Sequence, residues 1–213
     1  MISSFINFTQ ITRNTSTLPI TPAEVRAVSQ FFSGNQNDTS IDGEITSLIL
    51  KGVLNWERET KFLIFDQTFK AFLYNEYLIT NKFCGRLPVM NVYSFDSIKY
   101  HPCNWNYADA KITLDTNLYY FTPEVGTDSA QFKLRNDYLE VFQIYNNIEF
   151  NGKGGYQNNN FTNLPIEIKT ALIGMTADNL DATKGICGCN GSYYEEVKAI
   201  YGKNTVYNLS ITI

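Results

Sequence analysis

The sequence predicts an α+β fold: a small helical core of about three main helices, a long antiparallel β insertion, and extended N- and C-terminal arms. Three observations support this prediction. Apolar residues recur at helical spacing before residue 61 and after residue 164, but alternate or form short runs in between. Aromatic side chains make up 15% of the 213 residues, and most are Phe and Tyr, which suit half-buried pleated surfaces. The first 20 residues are rich in Thr, Ser and Asn and show no helical period.

The order of these patterns predicts one structural unit in which the helices of 21–61 and 164–185 pack together. A chain of this length can bury a substantial core. The predicted parts are an N-terminal arm at 1–20, a helical part at 21–61, an antiparallel β insertion at 62–150, a flexible loop at 151–163, a second helical part at 164–202 and a C-terminal arm at 203–213.

Two helices are predicted in the first helical part. Thr21 can cap a helix that begins at Pro22, and Glu24 can complete a capping box. A second helix begins near residue 39 or 40. Its apolar residues fall at steps of three and four, which is typical of a helix packed on a core. They are Ile45, Leu48, Ile49, Val53 and Trp56.

Strand patterns fill the insertion, and turn-forming residues separate several of them. The predicted strands are 62–65, 69–79, 89–100, 110–114, 118–122, 131–134 and 138–150. The Gly- and Asn-rich stretch after them predicts a mobile polar loop, because it lacks the complete phosphate-loop signature.

A third main helix is predicted from residue 164 to about 182, since Ile168, Leu172 and Met175 share one face. A short helical segment follows, with a capping-box candidate at Ser192–Glu195, and ends at Gly202. Residues 206–213 alternate and are rich in β-branched side chains, which predicts an extended segment.

Charge and hydropathy argue against several classes of function and location. Seventeen basic and 21 acidic side chains give a net charge of −4, which argues against phosphate-driven binding of nucleic acid. No apolar run approaches the roughly 20 residues that cross a bilayer, and the N-terminus lacks the pattern of a signal peptide. We therefore expect a protein made in the cytoplasm and kept or assembled there.

The four cysteines are expected to be reduced structural thiols. Cys187 and Cys189 form a close pair, but their spacing is atypical of a tetrahedral zinc site, which would also need two distant ligands. We expect no metal and no cofactor.

Catalytic constellations are missing from the sequence. His101 is the only histidine, so no Ser–His, Cys–His or His–metal arrangement can be built around a partner set. Paired carboxylates are the remaining acid–base resource, and two pairs could face one another on the sheet: Asp109 with Asp115, or Asp137 with Glu140. Solvated turns and strand edges explain these residues more simply, so the expected protein is not an enzyme.

Four stretches follow one another in a characteristic order. They are Leu18–Arg26 opening the first helix, Ile41–Glu59 forming the second, Leu87–Tyr100 entering a strand through Leu-Pro-Val, and Ile148–Ala171 carrying a strand, a Gly-Tyr loop and a Pro-started helix. In this order the chain resembles the head–tail connector (adaptor) family of tailed bacteriophages. The long β insertion and residues 186–213 depart from the family pattern.

The resemblance implies a virion structural protein at the head–tail junction, assembled in the host cytoplasm. Such proteins form a homo-oligomeric ring, typically a dodecamer, between the portal protein and a downstream tail or stopper protein. The ring extends the channel, and DNA passes through without sequence-specific binding or membrane contact. An acidic chain suits a channel that must not trap a polyanion.

The two arms are the predicted partner-binding segments, for the portal or a neighbouring subunit. A lone apolar strand is an aggregation hazard, and pairing it with another sheet edge removes that hazard. For the C-terminal arm the alternative is completion of its own sheet, and for the N-terminal arm it is local packing. The candidate residues are Val206, Leu209, Ile211 and Ile213 in the C-terminal arm, and Phe5, Ile6, Phe8 and Ile11 in the N-terminal arm.

Two other functions remain open at this point. One is another phage structural part, such as a stopper, tail-completion or capsid-associated protein. The other is a β-rich module that binds carbohydrate or protein, which the Tyr and Trp content would suit. Exposure of Trp56 and Trp105 would favour the module, whereas the position of Trp56 in the helical stripe predicts a core residue.

Overall fold

The computed structural model describes residues 6–73, 84–100, 111–122, 129–134, 148–186 and 191–206. Within these ranges the fold is α+β, with four α-helices and eight strands. The predicted helical core with a long antiparallel insertion is confirmed.

The helices pack into one layer. They are α1 Pro22–Val28, α2 Asp42–Thr60, α3 Ile166–Thr183 and α4 Gly191–Val206. The capping box predicted at Thr21 is present: the Thr21 hydroxyl accepts from Glu24 N, and Glu24 Oε2 accepts from Thr21 N. All three longer helices pack against one another, and the stripe residues Ile45, Val53 and Trp56 are fully buried between them. Burying such large apolar side chains stabilises the layer by roughly 1.5–3 kcal/mol each.

The strands form two antiparallel sheets. A five-stranded sheet has the order β1–β2–β8–β4–β5, and a three-stranded sheet has the order β3–β7–β6. A second apolar cluster, which includes Phe69, Ile98 and Phe150, lies among these strands. The strands are β1 Ile6–Arg13, β2 Gln67–Leu73, β3 Cys84–Met90, β4 Val92–Tyr100, β5 Ile112–Thr113, β6 Tyr119–Thr122, β7 Ser129–Leu134 and β8 Ile148–Gly154.

The prediction of a flexible loop from residue 151 is wrong at its start, because β8 continues through Gly154 in the middle of the five-stranded sheet. A Cβ on Gly154 would lie 2.5 Å from Leu63 Cδ1, so glycine here makes room for a core side chain. Gly155 follows with φ +92°, and its Cβ would lie 1.8 Å from the Phe65 carbonyl oxygen. Gly154 and Gly155 therefore allow close packing, whereas the sequence pattern predicted loop flexibility from the same glycines.

Three other boundaries differ from prediction. Residues 62–65 form no strand; only Phe62 makes a single bridge, to Met90. Asn91, in the left-handed region at φ +63°, divides the strand predicted at 89–100 into β3 and β4, and Asn tolerates that conformation better than other non-glycine residues. Helix α4 does not end at Gly202 but continues to Val206.

Candidate assembly surfaces

The N-terminal arm forms the outermost strand of its own sheet. Ile6 pairs with Leu73 across β1 and β2, Phe8 pairs with Ala71, and Ile11 falls at a register irregularity. Phe5 lies outside the described residues. Within the part of the chain that the structure describes, no strand covers the outer edge of β1. The arm thus pairs through its backbone with its own sheet, and both the partner role and the local packing of these side chains stay predictions.

Arg13, at the end of β1, is tied to the end of α2 by a buried carboxylate. Glu57 Oε1 accepts hydrogen bonds from Ile64 N at 2.7 Å and Phe65 N at 2.8 Å, and from the Gln67 side chain at 3.1 Å. Arg13 Nη2 lies 2.8 Å from Glu57 Oε2, in ion-pair contact without hydrogen-bond alignment. One side chain thus holds together a helix end, the strand entry after it and the N-terminal strand.

Burial raises the pKa of Glu57 above its ordinary value of 4.5, although Arg13 and the hydrogen bonds act in the opposite direction. The residue is 4% exposed, and desolvation disfavours the charged form. A buried carboxylate with a raised pKa can mark an acid–base site. Here Glu57 Oε1 already accepts hydrogen bonds from two backbone N–H groups and the Gln67 side chain. We therefore interpret Glu57 as a residue that positions the N-terminal strand.

A polar cleft of about 410 Å³ lies where β1, β2 and β4 meet the turn after β8. Asp66 accepts a hydrogen bond from the Tyr93 hydroxyl at 2.7 Å and another from Asn158 N, also at 2.7 Å. Lys153 lines the same cleft, and among the described residues no carboxylate lies within ion-pair distance of it. The cleft offers hydrogen-bonding groups to a polar partner, and its described lining residues include no nucleophile paired with a base.

Helix α4 carries an apolar groove. Tyr193, Val197 and Ile200 line a cavity of about 310 Å³, and Glu167 and Glu196 lie at its border. Ile200 is 53% exposed, and Ile166 beside Glu167 is 67% exposed. Within the described residues neither glutamate has an ion-pair partner. This surface, which we call the α4 groove, was missed by sequence reasoning, because helical spacing alone does not show which face of the helix packs on the core.

The inner face of α4 is part of the core. Trp56 packs edge-on against Tyr194 and Tyr201, with ring centroids 5.8 and 5.7 Å apart. Trp56 is fully buried, which confirms the prediction of a core residue and removes it as a sugar-stacking surface. Trp105 lies outside the described residues.

The three-stranded sheet presents a second exposed aromatic. Tyr120 is 54% exposed and lies directly opposite Lys133 across β6 and β7. Lys133 is also exposed, and among the described residues no carboxylate lies within ion-pair distance of its amino group. Directly opposed residues of an antiparallel pair share one face of the sheet, so this pair, the β6–β7 knob, combines an aromatic ring with a positive charge.

Glu149 in β8 holds a charge cluster on the five-stranded sheet. Lys111 Nζ lies 2.6 Å from Glu149 Oε2, and Lys70 Nζ lies 3.4 Å from Oε1. Burial raises the pKa of Glu149, but hydrogen bonds from Lys111 and Asn151 and the charges of both lysines outweigh it and lower the pKa to about 2. The cluster ties β2 and the residue that precedes β5 to β8.

The other residues singled out in the sequence either belong to described elements or lie outside the described residues. Val206 is the last residue of α4, so its predicted extended conformation is wrong, because the helical segment before it continues past Gly202. Asp115 caps the turn before β6 by accepting from Asn117 N at 2.8 Å. Several others lie outside the described residues: Leu209, Ile211, Ile213, His101, Asp109, Asp137, Glu140, Cys103, Cys187 and Cys189.

Two kinds of feature are absent from the described residues. No group of three His, Cys, Asp or Glu side chains is placed to hold a metal ion. No helix in these ranges has the length and apolarity needed to cross a membrane.

Comparison with known proteins identifies structural neighbours only. No family model matches the chain, and no curated protein matches it. The fold is similar to a chain in a solved structure described as "Virion of native gene transfer agent (GTA) particle", with a TM-score of 0.57 and 13% identity over 82% of this chain and 84% of that chain. The same values hold for "Neck of empty GTA particle computed with C6 symmetry". For "Neck of native GTA particle computed with C12 symmetry" the TM-score is 0.50 and the identity 12%, over 80% and 84%.

At this identity the likeness shows a shared fold.

Proposed function

We propose that this protein is a virion structural protein that forms an adaptor ring between portal and tail at the neck of a phage-like particle. The ring extends the DNA channel and docks the next tail component. It acts by assembly, without catalysis.

The observation that carries the proposal is the fold shared with chains of gene transfer agent particles over more than four fifths of both partners. Two of those structures are described as necks computed with C6 or C12 symmetry. Likeness over most of both chains is what a common architectural part would give, whereas a shared helical pair alone would carry little weight. The order of the four stretches in the sequence points to the same class of protein independently.

Physical features of the chain are consistent with a ring around DNA. The net charge of −4 lets DNA slide without being held, since phosphate binding needs clustered cations. The outer edge of β1, which no described strand covers, and the α4 groove are surfaces available for contacts with another subunit. Ring assembly covers such surfaces, because each subunit presents one face to each neighbour.

The test combines the purified protein with a purified portal ring from the same genome and images the product by electron microscopy. We expect a ring of this protein stacked coaxially on the portal. Two shortened chains test the C-terminal arm: one ends after Val206 and keeps all of α4, and the other ends after Lys203 and also removes residues 204–206 of the helix.

The outcomes separate the possibilities. Stacking lost in both shortened chains supports a portal- or neighbour-binding role for Leu209, Ile211 and Ile213. Stacking lost only after removal of residues 204–206 assigns the effect to the helix and discards the arm. Absence of association between the full chain and the portal under all conditions contradicts the adaptor role and favours another virion part with a different partner.

A further inference from the structure

We propose that the α4 groove of one subunit binds the β6–β7 knob of a neighbouring copy, and that this contact joins adjacent subunits of the ring. The inference rests on the proposed function and specifies which surfaces of the chain meet. The groove consists of Tyr193, Val197 and Ile200 with Glu167 and Glu196 at its border. The knob consists of Tyr120 and Lys133.

Ring closure requires two different surfaces on each subunit. A rotationally symmetric ring is built from heterologous contacts, in which one patch on each subunit meets a second, distinct patch on the next. The groove lies on the helical layer, and the knob lies on the three-stranded sheet of the insertion. These elements belong to separate layers of the fold, so a groove–knob contact is heterologous by construction.

The two surfaces are complementary in composition and charge. The groove is concave and largely apolar, with two acidic side chains at its border that have no ion-pair partner among the described residues. The knob offers one aromatic ring, more than half exposed, beside a lysine that likewise has no carboxylate partner within the described ranges. An aromatic anchor in an apolar pocket with a charged pair at the rim is the usual composition of a stable interface.

A second exposed apolar patch fits the groove less well. Val28 and Phe31 are 46% and 41% exposed, and Lys184 Nζ lies 5.6 Å from the Phe31 ring centroid. That lysine is already paired with Glu44, at 2.8 Å, so the patch has no uncommitted positive charge to offer the acidic border. Charge complementarity therefore selects the knob.

Photo-crosslinking tests the contact directly. Tyr120 is replaced by p-benzoylphenylalanine, and an equal mixture of ¹⁴N- and ¹⁵N-labelled protein is assembled on the portal, irradiated and digested. We expect mixed-isotope crosslinks to a peptide containing Tyr193–Tyr201. The matched control carries the same photo-reactive residue at Ile112, which is 44% exposed on β5, and should not label that peptide. Crosslinks from position 120 that map elsewhere, or that join only peptides of the same isotope, overturn the proposal.

Charge reversal provides an independent test that does not need the photo-reactive residue. Lys133→Glu and Glu196→Lys each place like charges across the contact and should weaken ring formation about tenfold or more, whereas the double variant should recover to within about threefold of the unmodified protein. Lys51→Glu, a reversal of the same charge at an exposed position on α2, serves as the control. Unchanged thermal unfolding of each variant verifies that folding is intact. Failure of the double variant to recover overturns the pairing.

The two hypotheses fail in different ways. Rings that assemble normally on the portal with Tyr120→Ala and with Ile200→Glu contradict this interface and leave the adaptor function standing. If the unmodified protein forms no ring on the portal, the adaptor function fails and this inference fails with it.

Discussion

Replacing Glu57 gives the sharpest test of how the N-terminal strand is fixed. In Glu57→Ala the backbone N–H groups of Ile64 and Phe65, both on fully buried residues, lose the acceptor that lies 2.7 and 2.8 Å away. Each unsatisfied buried donor costs about 1–3 kcal/mol. We therefore expect a loss of about 2–5 kcal/mol in the free energy of unfolding, a large fraction of the roughly 5–15 kcal/mol typical of a domain.

Glu57→Gln separates the hydrogen bonds from the charge. The amide oxygen of glutamine can still accept from both N–H groups, so only the ion pair with Arg13 is lost. Burial already disfavours the charged carboxylate, and the Arg13 side chain is 22% exposed to water, so we expect the glutamine variant to lose only about 1 kcal/mol. Glu59→Ala, on the same helix end but 39% exposed in its side chain, is the control and should change stability by under about 1 kcal/mol.

Urea unfolding of the four proteins, followed by tryptophan fluorescence and circular dichroism, measures these differences. An alanine variant within 1 kcal/mol of the original protein, or a glutamine variant as unstable as the alanine variant, would refute the reasoning.

The pH dependence of the free energy of unfolding provides a further test of Glu57. Because the folded pKa of Glu57 is raised, its contribution to stability is fully present below the unfolded value of 4.5 and is lost as pH rises through the folded pKa. Glu57→Gln should remove that decline.

Two further predictions address the centre and the face of the five-stranded sheet. Gly155→Ala should destabilise the protein by at least about 2 kcal/mol, because the new Cβ would meet the Phe65 carbonyl oxygen at a positive φ; a thermal melt like that of the unsubstituted protein would show that this turn is not held as described. Lys111→Met should raise the lowered pKa of Glu149 and remove stability on the order of 1–2 kcal/mol, discounted for solvent screening. Since the folded pKa of Glu149 is depressed, its contribution to stability is present above pH 4.5 and is lost as pH falls towards about 2. The free energies of unfolding of the original protein and of Lys111→Met should therefore converge in acid. A constant difference down to pH 2 would contradict the assignment.

The sequence by itself determined the helical elements and the class of fold. Thr21 and Glu24 specify a helix start through contacts three residues apart, and the stripe that includes Trp56 specifies which face of α2 is buried. Both signals are local, because a capping box and a helical period depend only on residues within a few turns. Because each element could be predicted locally, the order of the elements along the chain could also be compared with that of a known family.

The tertiary structure decided what distant residues do to one another. Residues 151–155, three of them glycine, contain a loop signal in sequence, but Gly154 and Gly155 lie where Leu63 and the Phe65 carbonyl contact the central strand and the turn after it. No residue near Glu57 in sequence predicts its ion pair with Arg13, which lies 44 positions earlier. The ion pair depends on which strand becomes the edge of the sheet. Strand order and buried polar pairs are long-range properties set by the packing of the whole core. The α4 groove and the β6–β7 knob are of this kind: the helix period shows which positions share a face, but only the packing of Trp56 against Tyr194 and Tyr201 decides which face stays outside.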